Sequence, residues 1–338
     1  MKTFDKYNIK NLELKNRIVM PPMCTYSSDN EGFVKNFHRM HYGSRAIGGA
    51  SLLILEATAV IKNGRISDRD LGIWDDAHIE GLKSIVDNIH PYGAKAGIQL
   101  AHAGRKSESG DEYIVAPSPI SHSYKYRRPR ELSKEDIGEL VEHFKMAARR
   151  ADEAGFDTIE IHAAHGYLIH EFLSPITNKR EDEYGGSLEN RTRFLNEILE
   201  EVQKVWPSEK PIFVRFSASD YKEGGIDKDE IVKIIDKSKN NFDIAHISSG
   251  GLVDTHIDVF PGYQVEFANT VRKKCNIPTI AVGLIENFNQ VEDILSNERA
   301  DLVALGRELL RRPYAPLDMA YNNNIDIDFP SQYRRAFR

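Results

Sequence analysis

Apolar and polar positions along this chain fall into two alternating periods. Short runs rich in branched apolar residues recur at 17–23, 51–57, 95–102, 157–162, 211–216, 242–247, 278–283 and 300–305. Each predicts a strand, and the uninterrupted run at 51–57 predicts one buried on both faces. Segments with helical spacing lie between them, at about 37–47, 78–90, 133–154, 188–205, 227–239 and 264–274, with a short one opening at Asn287. Gly48-Gly49, Gly155 and Pro207 stand where helices should stop. Ser133 with Asp136, and Asp227 with Glu230, have the spacing of capping boxes. Ahead of the first long strand, Tyr7-Asn8-Ile9 and Leu12-Glu13-Leu14 flank Lys10-Asn11, which predicts a hairpin. Residues 104–132, rich in Ser, Pro, Tyr and charge, predict a long loop after the third strand.

Eight strands alternating with helices, and no break in composition that would mark a linker, predict a (β/α)8 barrel forming a single domain over 1–338. An open doubly wound sheet is the alternative. It needs fewer units, and no Gly-x-Gly-x-x-Gly follows an early strand. The chain has 338 residues, 41% of them hydrophobic, and a formal charge of −6 with the two signs well mixed. This suits small-molecule work and argues against a nucleic-acid partner, which would call for a basic face. Two cysteines, Cys24 and Cys275, rule out a disulfide framework and fit a reducing compartment. The first residues lack the apolar core of a signal peptide, and no apolar run approaches the roughly 18 residues of a membrane span. A cytoplasmic protein is expected.

The chemistry gathers after the fourth strand. Thr158-Ile159-Glu160-Ile161-His162-Ala163-Ala164-His165-Gly166-Tyr167 alternates like a strand, then leaves it at small residues carrying two imidazoles and a phenol. In a barrel of this kind the active site lies at the C-terminal ends of the strands. Those ends present 21–26, Ala57, Gln99 with His102, 162–167, Arg215, 248–251, Gly283, and Gly306 with Arg307. Carboxylates are almost absent from them. A metal-dependent hydrolase would want His and Asp or Glu together at several ends, and a glycosidase would want paired carboxylates. The set suits an anionic planar cofactor with a phosphate tail. Gly283, Gly306 and Arg307 would hold the phosphate, Gln99 and Arg215 would meet a polar ring edge, and His162, His165 and Tyr167 would act on a substrate.

These residues carry a resemblance. The chain resembles the old yellow enzyme family of FMN-dependent ene-reductases, and within it the bacterial branch of NADPH dehydrogenases and xenobiotic reductases. The likeness runs through nearly the whole chain and rests on four motifs in order. They are Asn16-Arg17-Ile18-Val19-Met20-Pro21-Pro22-Met23, His162-Ala163-Ala164-His165-Gly166-Tyr167-Leu168, Asp182-Glu183-Tyr184-Gly185-Gly186-Ser187-Leu188-Glu189-Asn190-Arg191, and Ala281-Val282-Gly283-Leu284-Ile285. The resemblance implies FMN as cofactor and NADPH as hydride donor. It implies that Pro21, Pro22, Met23, Cys24, Ala57, Gln99 and Arg215 contact the flavin ring and ribityl chain, and that Gly283, Gly306 and Arg307 hold its phosphate. It places the carbonyl or nitro oxygen of a substrate on His162 and His165, makes Tyr167 the proton donor, and sets Tyr26 against the substrate. Cys24 stands where this branch has a cysteine tuning the flavin; from the residues alone it reads equally as a buried small hydrophobe.

The resemblance extends to the tail. In this branch an arginine followed two residues later by an aromatic reaches a neighbouring subunit's active site, and Arg335 with Phe337 fits that spacing. Phe stands where Trp is usual, an extra Arg338 follows, and Arg334 competes for the role. The tail, 322–338, is thus expected to reach across a homodimer or homotetramer. The basic run 125–130 reads as a solvated loop or as a greeting for the NADPH phosphate. His38, His41, His102 and His246 read as structural. A metal-dependent barrel hydrolase and a non-catalytic flavin binder are the competing functions. A dienoyl-CoA reductase architecture, with an iron–sulfur cluster and further domains, would need more cysteines and more chain.

Overall fold

The computed structural model describes residues 1–337; Arg338 lies outside the described residues. Eight parallel strands close on themselves: β1 (Ile18–Met20), β2 (Leu52–Ala59), β3 (Lys95–Ala101), β4 (Thr158–Ala163), β5 (Ile212–Ser217), β6 (Ile244–Ser248), β7 (Thr279–Ala281) and β8 (Leu302–Ala304). Each pairs with its successor, and β8 pairs with β1, so no edge is left open. The expected (β/α)8 barrel is the fold.

Two cores divide the apolar residues. Inside the barrel, Val19, Leu52, Ile54, Phe213, Ile244, Ile280, Leu302 and Ala304 pack together. Leu12 and Leu14 join them from the expected hairpin, whose strands Tyr7–Ile9 and Leu12–Leu14 turn at Lys10 (φ 49°). The hairpin therefore stops the N-terminal end of the barrel, and chemistry is confined to the other end. The larger core fills the space between the strands and the surrounding helices.

Several boundaries differ from those the sequence predicts, each for a local reason. β1 ends at Met20 rather than running to residue 23, because Pro21 and Pro22 have no N–H to give a neighbouring strand. β2 runs on to Ala59, with a register shift against β3 between Leu55 and Ala57 that sets Glu56 out of the ladder. The box at Ser133 and Asp136 forms in both directions. That at Asp227 is one-sided: Asp227 accepts from Asp229 and Glu230, but the Glu230 carboxylate is taken by Arg191 at 2.6 Å. Helices Leu168–Leu173, Arg307–Arg311 and Ala315–Asn322 were not expected. The first is buried all round, so it carries no amphipathic signal. No helix is long and apolar enough to cross a membrane among the described residues.

Candidate active site

The histidine loop is shaped by one close contact. His165 (φ 59°) and Gly166 (φ 74°) both adopt left-handed backbone, which is rare for a residue with a side chain. The turn presses against the loop after β6. A Cβ on Gly166 would lie 2.3 Å from the Gly251 carbonyl oxygen, and one on Gly251 would lie 2.8 Å from the His165 Cα. Glycine is required on both sides. Polar bonds then lock the turn. The His165 N–H donates to Ser217 Oγ at 2.9 Å, and Ser217 Oγ donates to the Gly250 carbonyl at 2.9 Å. The Gly166 N–H donates to His170 Nδ1 at 2.9 Å, and His170 Nε2 faces buried Asp220 at 3.0 Å. Lys106 Nζ donates to the carbonyls of His165 at 2.9 Å and Gly251 at 3.0 Å.

The result is a cluster of three polar rings. His162 and His165 have ring centroids 5.3 Å apart, and His162 and Tyr167 have theirs 4.9 Å apart. Hydrogen bonding sets the tautomers. The Ala164 N–H donates to His162 Nδ1 at 3.3 Å, so the ring proton of His162 sits on Nε2. His165 Nε2 lies 2.8 Å from Ser248 Oγ, which itself accepts from Gln264 Nε2 at 3.2 Å. The single Ser248 hydroxyl proton has no other acceptor among the described residues than His165 Nε2, so the hydroxyl donates to His165 and the ring proton of His165 sits on Nδ1. Neither N–H has a partner among the described residues. Burial, with Arg215 the next cause, holds both imidazoles well below the usual histidine range, so they are neutral donors at pH 7. Burial also raises the Tyr167 phenol well above its ordinary value, keeping its proton in place.

A second polar layer lies beneath. Glu160, fully buried, accepts from Gln99 Nε2 at 2.7 Å and faces His246 Nδ1 at 2.7 Å. This orients the Gln99 amide and leaves its oxygen for another partner. Arg215 is buried beside Glu160; its Nη1 reaches the Pro22 carbonyl at 3.4 Å, and its Nε has no partner. The segment after β1 is pinned by Glu56, which accepts from the Thr25 N–H at 3.0 Å and from Tyr42 at 2.9 Å. Burial pushes the Glu56 carboxyl up to about 7. Cys24, between Met23 and Thr25, is half-buried; burial, with Asp70 and Glu56, raises its thiol pKa. Tyr26 (φ 50°) stands exposed at the rim.

These residues fit a flavin mononucleotide. A buried guanidinium whose Nε has no partner among the described residues, an amide fixed from behind and small Ala57 suit a flat ring with polar edges. Gly283, at φ 127°, has a backbone that residues with side chains rarely adopt, and with Gly306 and exposed Arg307 it lies at the ends of β7 and β8, the usual phosphate position in this fold.

Residues 2–324 match the NADH:flavin oxidoreductase / NADH oxidase family. The chain belongs to this family. It is 57% identical to an NADPH dehydrogenase of Clostridium acetobutylicum over all of both chains, and 54% identical to one of Geobacillus sp. over 99% of this chain and 98% of the other. Among solved structures, an old yellow enzyme homologue from Zymomonas mobilis matches with a TM-score of 0.82 at 28% identity, covering 97% of this chain and 94% of that one. Morphinone reductase matches with a TM-score of 0.81 at 28% identity, covering 96% and 90%. The protein is thus an old-yellow-enzyme-type oxidoreductase with FMN as its cofactor.

Placed in this old-yellow-enzyme frame, most of the expected site residues share one end of the barrel, and Arg335 does not. Residues 326–332 and Arg334 line a cavity of about 840 Å³ with Lys15, Asn16, Gly49 and Gly93, which precede β1, β2 and β3. The tail therefore lies at the opposite end in a single chain, with Arg334 and Arg335 exposed. The basic run 125–130 is spent largely on its own loop: Arg127 donates to the carbonyls of Ser109 and Asp111, and Arg128 to that of Pro119. The expectation of a site poor in carboxylates needs correction. Glu56, Glu160 and Glu171 all lie just behind it, each engaged by protein donors. Glu160 is visible in the sequence, just ahead of His162 on the same strand; Glu56 and Glu171 lie before or after the strand ends, which hid them. Among the described residues no three His, Cys, Asp or Glu side chains gather to hold a metal ion. Ser248 stands among the strand ends the sequence presents, without a role; Lys106 and Ser217 were missed, because their partners come from other loops.

Gly251→Ala tests the loop contact. The added methyl drives His165 out of line, so the rate at which NADPH-reduced protein is reoxidised by an organic acceptor should fall about 100-fold while FMN stays bound. Steady-state rates on flavin-loaded protein would show it, and unchanged turnover would refute the contact's importance.

Proposed function

We propose that this protein is an NADPH-dependent ene-reductase in which His162 and His165 hold the substrate oxygen and Tyr167 delivers the proton. The carrying observation is the pair of neutral, unpartnered ring N–H groups, His162 Nε2–H and His165 Nδ1–H, beside the Tyr167 phenol. The relatives named NADPH dehydrogenase support NADPH as electron donor. The chemistry that the cofactor supplies is hydride transfer in two stages, from NADPH and then to the β-carbon of an α,β-unsaturated aldehyde or ketone.

The protein's own part follows from charge. As the β-carbon gains a hydride, negative charge builds on the carbonyl oxygen. Two fixed donors hold that oxygen more tightly in the transition state than in the ground state. Because both imidazoles are neutral, they stabilise the charge without transferring their protons to it. Tyr167 then protonates the α-carbon. Nitro compounds and nitrate esters present a similar oxygen to the same donors and extend the substrate class.

We read residues 1–338 as one FMN-binding unit, with Pro21, Pro22, Met23, Cys24, Ala57, Gln99 and Arg215 around the ring, and Gly283, Gly306 and Arg307 around the phosphate. Tyr26, exposed at the rim, borders the substrate. The tail lies far from its own site, which supports Arg335 acting in a neighbouring subunit of a homodimer or homotetramer. Removing residues 331–338 should then raise the KM for enone about tenfold, since a hydrogen bond from a charged donor is worth about 1.5–3 kcal/mol. Steady-state kinetics check this, and an unaltered KM would sink the shared-site reading.

His165→Ala tests the central role. The variant should keep its flavin spectrum yet lose enone reduction about 100-fold, equivalent to about 3 kcal/mol of transition-state stabilisation. Anaerobic stopped-flow reoxidation by cyclohexenone measures it; a wild-type rate would end the assignment.

A further inference from the structure

Lys106 holds a place in this site that the proposed reaction does not yet use. It ends the short turn Gly104–Lys106 at the start of the long loop after β3. Its ammonium has three donors. Two are given to the backbone carbonyls of His165 and Gly251, one on each of the two loops that meet at the glycine contact. The same nitrogen lies 5.0 Å from the centroid of the Tyr167 ring. Among the described residues no side-chain carboxylate is bound to it. Its charge therefore faces carbonyl oxygens and a phenol.

The groups around it leave that charge standing. Arg105 and Glu108 share its loop, Glu171 comes from the helix Leu168–Leu173, and His122 comes from the far part of the long loop. Glu171 accepts from the Arg105 N–H at 2.9 Å, and burial pushes its carboxyl up to about 8, so it is protonated at pH 7. Glu108 is taken by the Tyr126 hydroxyl at 2.9 Å. His122 is held neutral, first by burial and next by Lys106 itself. Burial lowers Lys106 to about 8, which still leaves it cationic at neutral pH.

A cation there matters most at one moment. When Tyr167 gives its proton to the α-carbon, the phenol O–H bond breaks and its electron pair stays on oxygen. The new C–H bond forms from the electron pair of the enolate, and the phenolate later regains a proton from water. Burial alone makes that phenolate costly, as the raised Tyr167 pKa shows. We propose that Lys106 is the positioning residue for this proton transfer, its ammonium fixing the Tyr167 loop through the His165 and Gly251 carbonyls and its charge stabilising the phenolate left on Tyr167. This rests on the reading of Tyr167 as proton donor.

The experiment compares wild type with Lys106→Met, Lys106→Arg and Tyr167→Phe, each flavin-loaded and reduced anaerobically with NADPH. Reoxidation is followed by stopped flow with cyclohexenone, which needs the proton, and with ferricyanide, which takes electrons alone. Lys106→Met should slow reoxidation by enone about 10- to 100-fold and enlarge its solvent isotope effect, with the ferricyanide rate within about twofold. Lys106→Arg, which keeps the charge, should recover most of the enone rate. A wild-type enone rate in Lys106→Met, with Tyr167→Phe impaired, would overturn the role of Lys106 alone. Equal slowing with both acceptors would reduce Lys106 to a structural tie and also overturn it. A wild-type enone rate in Tyr167→Phe would overturn the Tyr167 reading itself, and this proposal with it.

Discussion

The active end of this barrel depends on one backbone contact, where the turn at His165-Gly166 meets Gly251 with no room for a side chain on either glycine. Everything polar in the site is arranged around it. Ser217 ties the turn to β5, Ser248 fixes the outer histidine from β6, and Lys106 bridges the two loops from the third. Four separate loops thus hold two imidazoles and one phenol in a single geometry. The left-handed conformation of His165 persists because these bonds over-determine it. Loosening any of them would let the turn relax, and the three rings would lose their fixed spacing.

Charge in the site is sorted by burial. The imidazoles are buried near the Arg215 cation and stay neutral, so they donate hydrogen bonds without transferring protons. The phenol is buried and stays protonated until chemistry demands otherwise. The carboxylates are placed behind the working groups. Glu160 fixes Gln99 and balances Arg215, and Glu56 pins the segment that carries Cys24 and Tyr26. This division explains how a site rich in titratable residues can present donors and cations, and no free carboxylate, to its ligand. It also suits FMN, an anionic cofactor whose ring gains negative charge on reduction.

Much of the fold was legible because parallel barrel strands are buried on both faces and write continuous apolar runs. The hairpin was legible from the turn at Lys10-Asn11; that Leu12 and Leu14 close the barrel's end was not. Boundaries failed where a local rule intervened, as at Pro21-Pro22, or where partners competed, as when Arg191 takes Glu230. The helix Leu168–Leu173 was invisible because it is buried all round. Within the site, His162, His165 and Tyr167 stood out because they are contiguous. Lys106 did not, because its partners are backbone carbonyls on two loops distant in sequence. Glu56 sat inside an apolar run and looked like a strand residue. The resemblance sends Arg335 to a neighbouring subunit, and in a single chain the tail that carries it lies at the opposite end of the barrel from the site.

The central claim is that His162 and His165 present neutral ring N–H groups, from Nε2 and Nδ1 respectively, to one substrate oxygen. Nitrogen-15 NMR of histidine-labelled holoenzyme at pH 7, assigned with single histidine variants, reads both tautomers directly. The account predicts two neutral rings, His162 protonated at Nε2 and His165 at Nδ1. A cationic ring at either position, or a proton on Nδ1 of His162, would contradict it.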